Sequence, residues 1–451
     1  MRWKAPGTMA AARTLVLVTV SAMTAEAQPR PLTLSEAMAQ ARQAAREVKA
    51  AAAHAQAAAA RVEQAKGFRL PTVTVQEIFI STDAPADAFA LKLNQERFSF
   101  ADFLSADPNN PARLETGITR LEAQVPLYTG GELSGRIAQA KHAAEAAAFR
   151  RARAGDEAAL AAAEAYIMLK QAQEFVALLE RARETVAAHV ELARAYEGQG
   201  MLVASEVMRA EVELARLEDM LAKARGDVAV ASANLAFRLG TDLRTTWELA
   251  AIAVPPALSD DLAAWLESAA GRADVKAAES LLRAGELEES VRRAAFYPRV
   301  GVVARGDLVD DVPFGTHGRS TTLMAVASLN LFAGGSDRAA VAAARWEAQA
   351  GREDVERFRE GIKLQVKQAF EEARSASLRQ ATAARALAAA REAERITEER
   401  FRAGIVKMID LLDASTARRE AETRELVART EAVAARLRLA VAAGRAPESA
   451  L

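Results

Sequence analysis

The stretch VPLYTGG (residues 125–131) recurs as LNLFAGG (residues 329–335), and a very long segment without proline follows each copy. Those segments, 131–199 and 335–403, are rich in Ala and charged residues. In the first, apolar residues recur at steps of three and four, the pattern of a coiled-coil stripe. As continuous helices they would each span about 100 Å at a rise of 1.5 Å per residue. The motif therefore predicts two long helices that begin at equivalent places in a duplicated chain.

A glycine ends each long segment, Gly200 in the first copy and Gly404 in the second, and a return helix is predicted beyond it. The offset between copies is 204 residues at the motif (125 to 329) and again at these glycines, so no insertion separates the two markers. The return helices are predicted at 203–238 and 407–443. Each copy is therefore expected to contain one long helical hairpin.

A second match lies upstream of the motif, where residues 46–75 align with 273–302 at an offset of 227 (71 to 298). Pro71 and Pro298 each end a shorter helix and open a strand, since Pro is tolerated as the first residue of a strand. The segments between the paired strands, 81–115 and 310–319, read as turn-rich loops. The remaining predicted elements are helices 34–66 and 261–294 and strands 72–80, 116–128, 299–309 and 320–332.

The N-terminus has the features of a secretory signal peptide. Basic residues precede an apolar run at 14–23, and Ala25-Glu26-Ala27 matches a small-x-small cleavage site. About ten apolar residues are too few to span a bilayer. The chain is therefore predicted to be exported, and its predicted organisation is signal peptide 1–27, first repeat 28–240, linker 241–260, second repeat 261–445 and C-terminal tail 446–451.

Composition excludes several classes of function. The net charge of −1 argues against a nucleic-acid binder, which needs a basic face, and the absence of Cys removes thiol chemistry and Cys-ligated metals. No two of the four His are four residues apart, and GGELSG (130–135) lacks the Lys-Ser/Thr ending of a phosphate loop. A solvated turn is favoured over a calcium site at Asp307, Asp310 and Asp311. We expect no catalytic residue, no metal, no cofactor and no enzyme activity.

The predicted strands have the length and alternation of tilted membrane strands. In 116–128 apolar residues alternate with Arg120, Glu122 and Gln124. Four strands cannot close a barrel, and lipid does not tolerate an open sheet edge, so several chains must contribute. The predicted fold is mainly α, with duplicated coiled-coil hairpins and four strands per chain in a small barrel closed by oligomerisation. Aromatic residues favour the membrane boundary and mark the helix–strand junctions: Phe68, Tyr128, Phe296, Tyr297 and Phe332.

The chain resembles the outer-membrane efflux protein (TolC-like) family. The likeness rests on PLYTGG (126–131) and NLFAGG (330–335), on the tip motifs GMLVASEVMRAE (200–211) and FRAGIVKMIDLLDAS (401–415), and on the order of elements over nearly the whole exported chain. The resemblance implies a homotrimer in the outer membrane that extends through the periplasm. It also implies docking of the helical tip to a periplasmic adaptor (membrane fusion) protein and an inner-membrane pump or transporter. No nucleic-acid partner is implied.

The resemblance also implies roles for particular residues. Three copies of an acidic residue around a narrow axis would attract cations and repel anions. Val406 stands where an Arg latch is expected, so closure is expected to depend on packing, and the aromatic before Gly200 is displaced to Tyr196. The implied positions are Glu206, Asp410, Asp413 and Phe401 for the periplasmic gate, Gly200, Met201, Gly404 and Ile405 for adaptor docking, and Pro71, Gly130, Gly131, Pro298, Gly334 and Gly335 for the strand–helix junctions.

Two alternatives remain open from the sequence. One stays within the class and makes the chain an outer-membrane duct for type I protein secretion instead of small-molecule efflux. The other makes it a soluble periplasmic coiled-coil adaptor or scaffold. The second alternative is less favoured, because each repeat has one strand pair and no compact lipoyl-like β-domain.

Overall fold

The computed structural model describes residues 31–101, 107, 109–253 and 261–450. The predicted signal peptide lies outside these residues, as does the Pro255-Pro256 pair of the predicted linker. The first copy contains α1 (Leu34–Ala44), α2 (Arg46–Gly67), β1 (Thr72–Thr82), α3 (Pro85–Asn94), β2 (Leu114–Thr129), α4 (Glu132–Gly198) and α5 (Ala204–Leu239). The second contains α6 (Leu262–Ala269), α7 (Ala273–Arg293), β3 (Arg299–Asp310), β4 (Gly318–Ser328), α8 (Ser336–Arg402) and α9 (Met408–Ala442).

The two longest helices are built alike. α4 and α8 have 67 residues each and begin directly after a glycine pair, so each extends for about 100 Å. The return helices α5 and α9 start at Ala204 and Met408, which keeps the offset of 204 residues. The predicted pair of long helical hairpins is confirmed.

The shorter helix of each copy is not continuous, and here the prediction of single helices at 34–66 and 261–294 was wrong. Ala45 separates α1 from α2, and Arg272 begins α7 after a short turn, at the equivalent position 227 residues later. Both have extended backbone angles, with φ/ψ of −57/139° and −58/142°. A glycine at the end of a return helix packs against each break: a Cβ on Gly240 would lie 3.1 Å from the Ala44 carbonyl oxygen, and one on Gly444 would lie 2.6 Å from Arg272 Cγ. The breaks are therefore tertiary features, to which helical periodicity gives no clue.

The four strands form one antiparallel sheet in the order β1-β2-β3-β4. The two central strands, β2 and β3, come from different copies and pair from Gly117–Asp310 to Thr129–Arg299, with an irregularity between Pro126 and Tyr128. Within the described residues, β1 and β4 each have one edge without a partner strand. The predicted fold class, mainly helical with four strands, is confirmed.

The register gives the sheet two different faces. One rung of the ladder is apolar (Val73, Ala123, Ala304 and Leu323), and the adjacent rungs on the opposite face are polar. The polar rungs are Thr74, Glu122, Arg305 and Thr322, followed by Gln76, Arg120, Asp307 and Ser320. We call these the apolar face and the polar face. Strand alternation in the sequence predicted this division correctly.

Three details of the sheet differ from the sequence prediction. The segment 81–115 contains a helix, α3, which begins with Pro85 at a position where Pro is favourable. β4 ends at Ser328 instead of residue 332, because its partner strand begins at Arg299 and offers no further pairing. Asp307 and Asp310 lie within β3 and are largely buried, so they do not belong to a solvated turn.

The helices are held together by buried small and aliphatic residues. One cluster joins α1, α4, α5 and α9 around Tyr166, whose hydroxyl lies 2.8 Å from the Leu32 carbonyl oxygen. Burial raises the pKa of Tyr166 to about 12. The predicted linker contributes Leu249 to this cluster, so part of it is packed against the repeats. Among the described residues, no helix combines the length and the apolar character that crossing a bilayer requires.

Candidate functional site at the hairpin tips

Both hairpins turn in the same way at their tips. Gly200 and Gly404 have φ of +73° and +71°, a left-handed conformation that favours glycine. At each tip the residue after the glycine donates its N–H to a carbonyl five residues earlier, at 2.9 Å, which closes the last turn of the long helix. This arrangement leaves the side chains of Met201 and Ile405 exposed, Ile405 by 73%. Each tip therefore exposes an apolar side chain directly after its glycine, and the first tip exposes Val203 as well.

The acidic residues Glu206 and Asp410 occupy equivalent positions in the first turns of α5 and α9. Asp410 is exposed, and its carboxylate accepts the backbone N–H of Lys407 at 2.9 Å, so it caps α9. Glu206 is half-buried, and its Oε2 has no hydrogen-bond partner among the described residues. Its nearest cation is Arg209, at 3.8 Å. The duplication thus places the two carboxylates at equivalent positions, but Asp410 accepts a backbone hydrogen bond whereas one oxygen of Glu206 has no partner among the described residues.

Asp413 is exposed one turn beyond Asp410 on α9. Residues three apart lie on one side of a helix, so the two carboxylates face the same way. The first copy has Arg209 at the position equivalent to Asp413, and therefore lacks this second negative charge. At these two equivalent positions the second hairpin carries two carboxylates, and the first carries one carboxylate and one guanidinium.

Phe401 joins the two hairpins near their tips. It is only 3% exposed, and its ring lies 5.9 Å from that of Tyr196, at an interplanar angle of 30°. Val406 packs against the same cluster, which also includes Val207 and Met408. The displaced aromatic Tyr196 is thus the ring partner of Phe401, and the residue in place of an Arg latch is an apolar contact.

An ion pair between the hairpins was missed by sequence reasoning. The Arg419 guanidinium on α9 lies 2.8 Å from the Glu213 carboxylate on α5, and their side chains are 8% and 16% exposed. Both residues belong to helices that are charged along their whole length, so nothing in the local sequence distinguishes them. Only the packing of α9 against α5 brings them together.

His189 on α4 was considered only as a metal ligand, and the structure gives it a different environment. It is buried, and its Nε2 has no hydrogen-bond partner among the described residues. Burial lowers its pKa, although Glu398 and Glu394 of α8 act in the opposite direction. Arg402 of α8 and Arg418 of α9 also face it and favour the neutral ring. His189 is therefore a neutral side chain between the two hairpins.

The strand–helix junctions repeat one geometry. Gly130 and Gly131 have φ of +66° and +92°, and Gly334 and Gly335 have φ of +61° and +84°. A Cβ on Gly130 would lie 2.6 Å from the Ala294 carbonyl oxygen, so the first pair also allows close approach to the end of α7. Pro71 and Pro298 each directly precede a strand.

No group of three or more His, Asp or Glu residues in the described part of the chain is placed to hold a metal ion. The structure therefore presents the tips as a charged and apolar surface built from two helical turns. Chemically, such a surface can attract cations and pack against another protein.

The model of the outer membrane efflux protein family matches residues 37–241 and 266–445 of this chain. The chain belongs to the outer membrane efflux protein family. The predicted resemblance is thereby confirmed, together with the location in the outer membrane and the extension into the periplasm. The chain is a member of a family of passive channels and not an enzyme.

Solved structures show the same fold at low sequence identity. The outer-membrane channel OprN is 20% identical, with a TM-score of 0.75 over 91% of this chain and 89% of its own. The outer membrane protein VceC of Vibrio cholerae is 18% identical, with a TM-score of 0.73 over 91% of this chain and 96% of its own. The open state of the MtrE channel of Neisseria gonorrhoeae is also 18% identical, with a TM-score of 0.73 over 92% and 89%. The chain matches no curated protein.

Proposed function

We propose that this family member is the outer-membrane duct of a tripartite efflux system, and that it works as a homotrimer. The observation that carries this proposal is a four-stranded sheet with one apolar face, one polar face and two edges that no described residues pair with. Lipid requires every backbone polar group to be paired, so the edges of β1 and β4 must meet those of other copies. Three copies would supply twelve strands, with the apolar face toward lipid and the polar face toward water.

Under this proposal the hairpin tips form the periplasmic gate. Glu206, Asp410 and Asp413 from three copies would surround the axis with negative charge, which favours cations over anions. Phe401 would hold the second hairpin against the first by packing on Tyr196. Because Val406 belongs to the same apolar cluster, closure depends on burial at this point and not on an Arg–carboxylate latch.

The partners are proposed from the same geometry. The exposed side chains of Met201 and Ile405, each beside a tip glycine, would contact a periplasmic adaptor protein. The adaptor would connect the duct to an inner-membrane pump or transporter, which supplies the energy. The junction prolines and glycines, Pro71, Gly130, Gly131, Pro298, Gly334 and Gly335, would turn the chain between the membrane part and the periplasmic part.

Three measurements test the proposal. The purified chain should require detergent and sediment as a trimer; a monomer that stays soluble without detergent would contradict it. In planar bilayers, Asp410→Asn combined with Asp413→Asn should reduce cation preference and cation block, whereas Asp219→Asn, an exposed acid farther along α5, should not. Deletion of the gene should make cells more sensitive to small toxic compounds. If the deletion instead stops the secretion of a polypeptide, the type I secretion alternative is supported.

A further inference from the structure

The first part of the connection between β1 and β2, up to Arg97, folds back onto the sheet at the end remote from the long helices. It forms α3 and then turns sharply at Glu96, whose φ of +56° is rare for a residue other than glycine. Such a backbone conformation persists only when surrounding contacts hold it. We call residues 85–97 the inner lid.

Buried and charged contacts hold the inner lid in place. The Gln95 side chain is only 2% exposed, and its amide donates to Thr116 Oγ1 at 2.9 Å and to the Glu115 carbonyl oxygen at 3.0 Å. The Arg97 guanidinium lies 2.8 Å from an Asp310 carboxylate oxygen and also pairs with Asp311. A buried amide with its hydrogen bonds satisfied fixes one geometry, because any other leaves a polar group unpaired.

The strand register shows which face the inner lid covers. Gly117 and Asp310 are buried at this end on the apolar side of the alternation, where the β3–β4 connection at Val312 approaches Gly117. Four other buried strand residues belong to the polar face, the side that carries the Arg120–Asp307 ion pair at 2.8 Å. They are Thr116, Ile118, Val309 and Gly318. The inner lid therefore lies over the face that the proposed barrel turns toward its lumen.

A glycine on β4 makes room for the inner lid. A Cβ on Gly318 would lie 2.0 Å from the Asn94 carbonyl oxygen, which is too close for any real contact, so the lid would have to move. Gly306 on the adjacent strand β3 has nothing within 4 Å of its Cβ position. Gly318→Ala can therefore displace the inner lid without altering any lid residue, and Gly306→Ala is the control in the same sheet.

We propose that the inner lid is a second constriction of the duct, at its outer mouth, where three copies narrow the lumen and are released when the Gln95 and Arg97 contacts break. This inference rests on the proposed barrel. The inner lid would limit the size of solutes that pass the mouth and would exclude molecules from outside while the duct is idle. It is separate from the periplasmic tips, since the whole helical part of the chain lies between them.

The absence of Cys makes the inner lid directly testable. Thr322 lies on the polar face four residues into β4 from Gly318, so Thr322→Cys would report access to the lumen from outside. A membrane-impermeant thiol reagent is added to intact cells that carry this variant, with and without lid substitutions. Gly318→Ala should speed labelling strongly, while Gly306→Ala should leave the rate unchanged. Gln95→Ala should speed it about tenfold, as expected when buried hydrogen bonds are lost, and Asn109→Ala on the same connection should not.

Three outcomes separate this inference from the proposed function. Equal labelling rates with and without Gly318→Ala and Gln95→Ala, in variants that still form trimers, would overturn the inner lid. The inner lid would also be overturned if Thr322→Cys is never labelled in cells, with or without lid substitutions, although the denatured protein reacts. Leu323→Cys, on the apolar face, should stay unlabelled in cells; labelling there as fast as at Thr322→Cys would contradict the barrel itself.

Discussion

The two hairpin tips share one backbone and differ in the environment of their side chains. Both turn on a left-handed glycine and begin the return helix with an acidic third residue. In the second hairpin that residue, Asp410, caps its helix, whereas in the first, Glu206 has a buried oxygen with no partner among the described residues. The comparison teaches that the duplication fixes the hairpin geometry while the charge and the packing have diverged. We infer that the return helix of the second hairpin is the more firmly capped. The second hairpin also carries two of the three proposed gate carboxylates, Asp410 and Asp413, whereas the first carries Glu206.

The largest expected effect comes from the ring that joins the tips. Phe401→Ala removes a buried aromatic and should lower the free energy of local opening of the second hairpin by about 4 kcal/mol. Hydrogen exchange of the α8 and α9 amides near the tip measures this energy. Ile405→Ala, at an exposed position four residues on, is the control and should leave it unchanged. Equal exchange protection in Phe401→Ala and Ile405→Ala would show that the tips do not depend on the contact of Phe401 with Tyr196.

The ion pair between the hairpins should have the next largest effect. Arg419→Met leaves Glu213 with only the more distant Arg216, at 3.8 Å, and should destabilise the contact of α9 with α5 by about 3 kcal/mol. The double variant Arg419→Met, Glu213→Leu should recover most of the loss, because both buried charges are then gone. A double-mutant cycle on thermal unfolding of the trimer measures the coupling, and strict additivity would argue against a direct pair.

The comparison of the two carboxylates predicts an asymmetric response. Asp410→Ala removes a helix cap and should cost about 1 kcal/mol of local stability. Glu206→Ala should cost less, because the orphaned oxygen contributes no hydrogen bond to lose. Hydrogen exchange in the first turns of α9 and α5 compares the two. If Glu206→Ala lowers the local stability more than Asp410→Ala does, the first tip depends more on its acidic residue than the second, contrary to this prediction.

The smallest predicted effect depends on pH. Burial lowers the pKa of His189 in the folded chain below its ordinary value of 6.5. The folded state therefore binds fewer protons, so the stabilisation is complete above pH 6.5 and declines as the pH falls below it. Hydrogen-exchange protection of the α4 and α8 amides near His189 should thus weaken from pH 7.5 to 5.5. His189→Gln should remove this dependence, and an unchanged dependence in that variant would show that His189 is not its source.

The sequence alone determined the plan of the molecule. The repeated VPLYTGG and LNLFAGG motifs, the absence of proline and the glycines 204 residues apart gave two long hairpins, and period-two alternation gave four strands with distinct faces. These features depend on neighbours a few residues apart, and so local periodicity reports them. The same holds for the tip and junction glycines, whose left-handed backbone is a local requirement.

Only the tertiary structure decided the breaks at Ala45 and Arg272, the helix α3 folded onto the polar face, the contact of Tyr196 with Phe401 and the Arg419–Glu213 pair. Each depends on groups that are far apart in the chain. In helices where charged residues and Ala occur at nearly every turn, many pairings satisfy the local pattern equally well. The packing of one hairpin against the other selects among them, because burial makes an unpaired charge or an unfilled space costly.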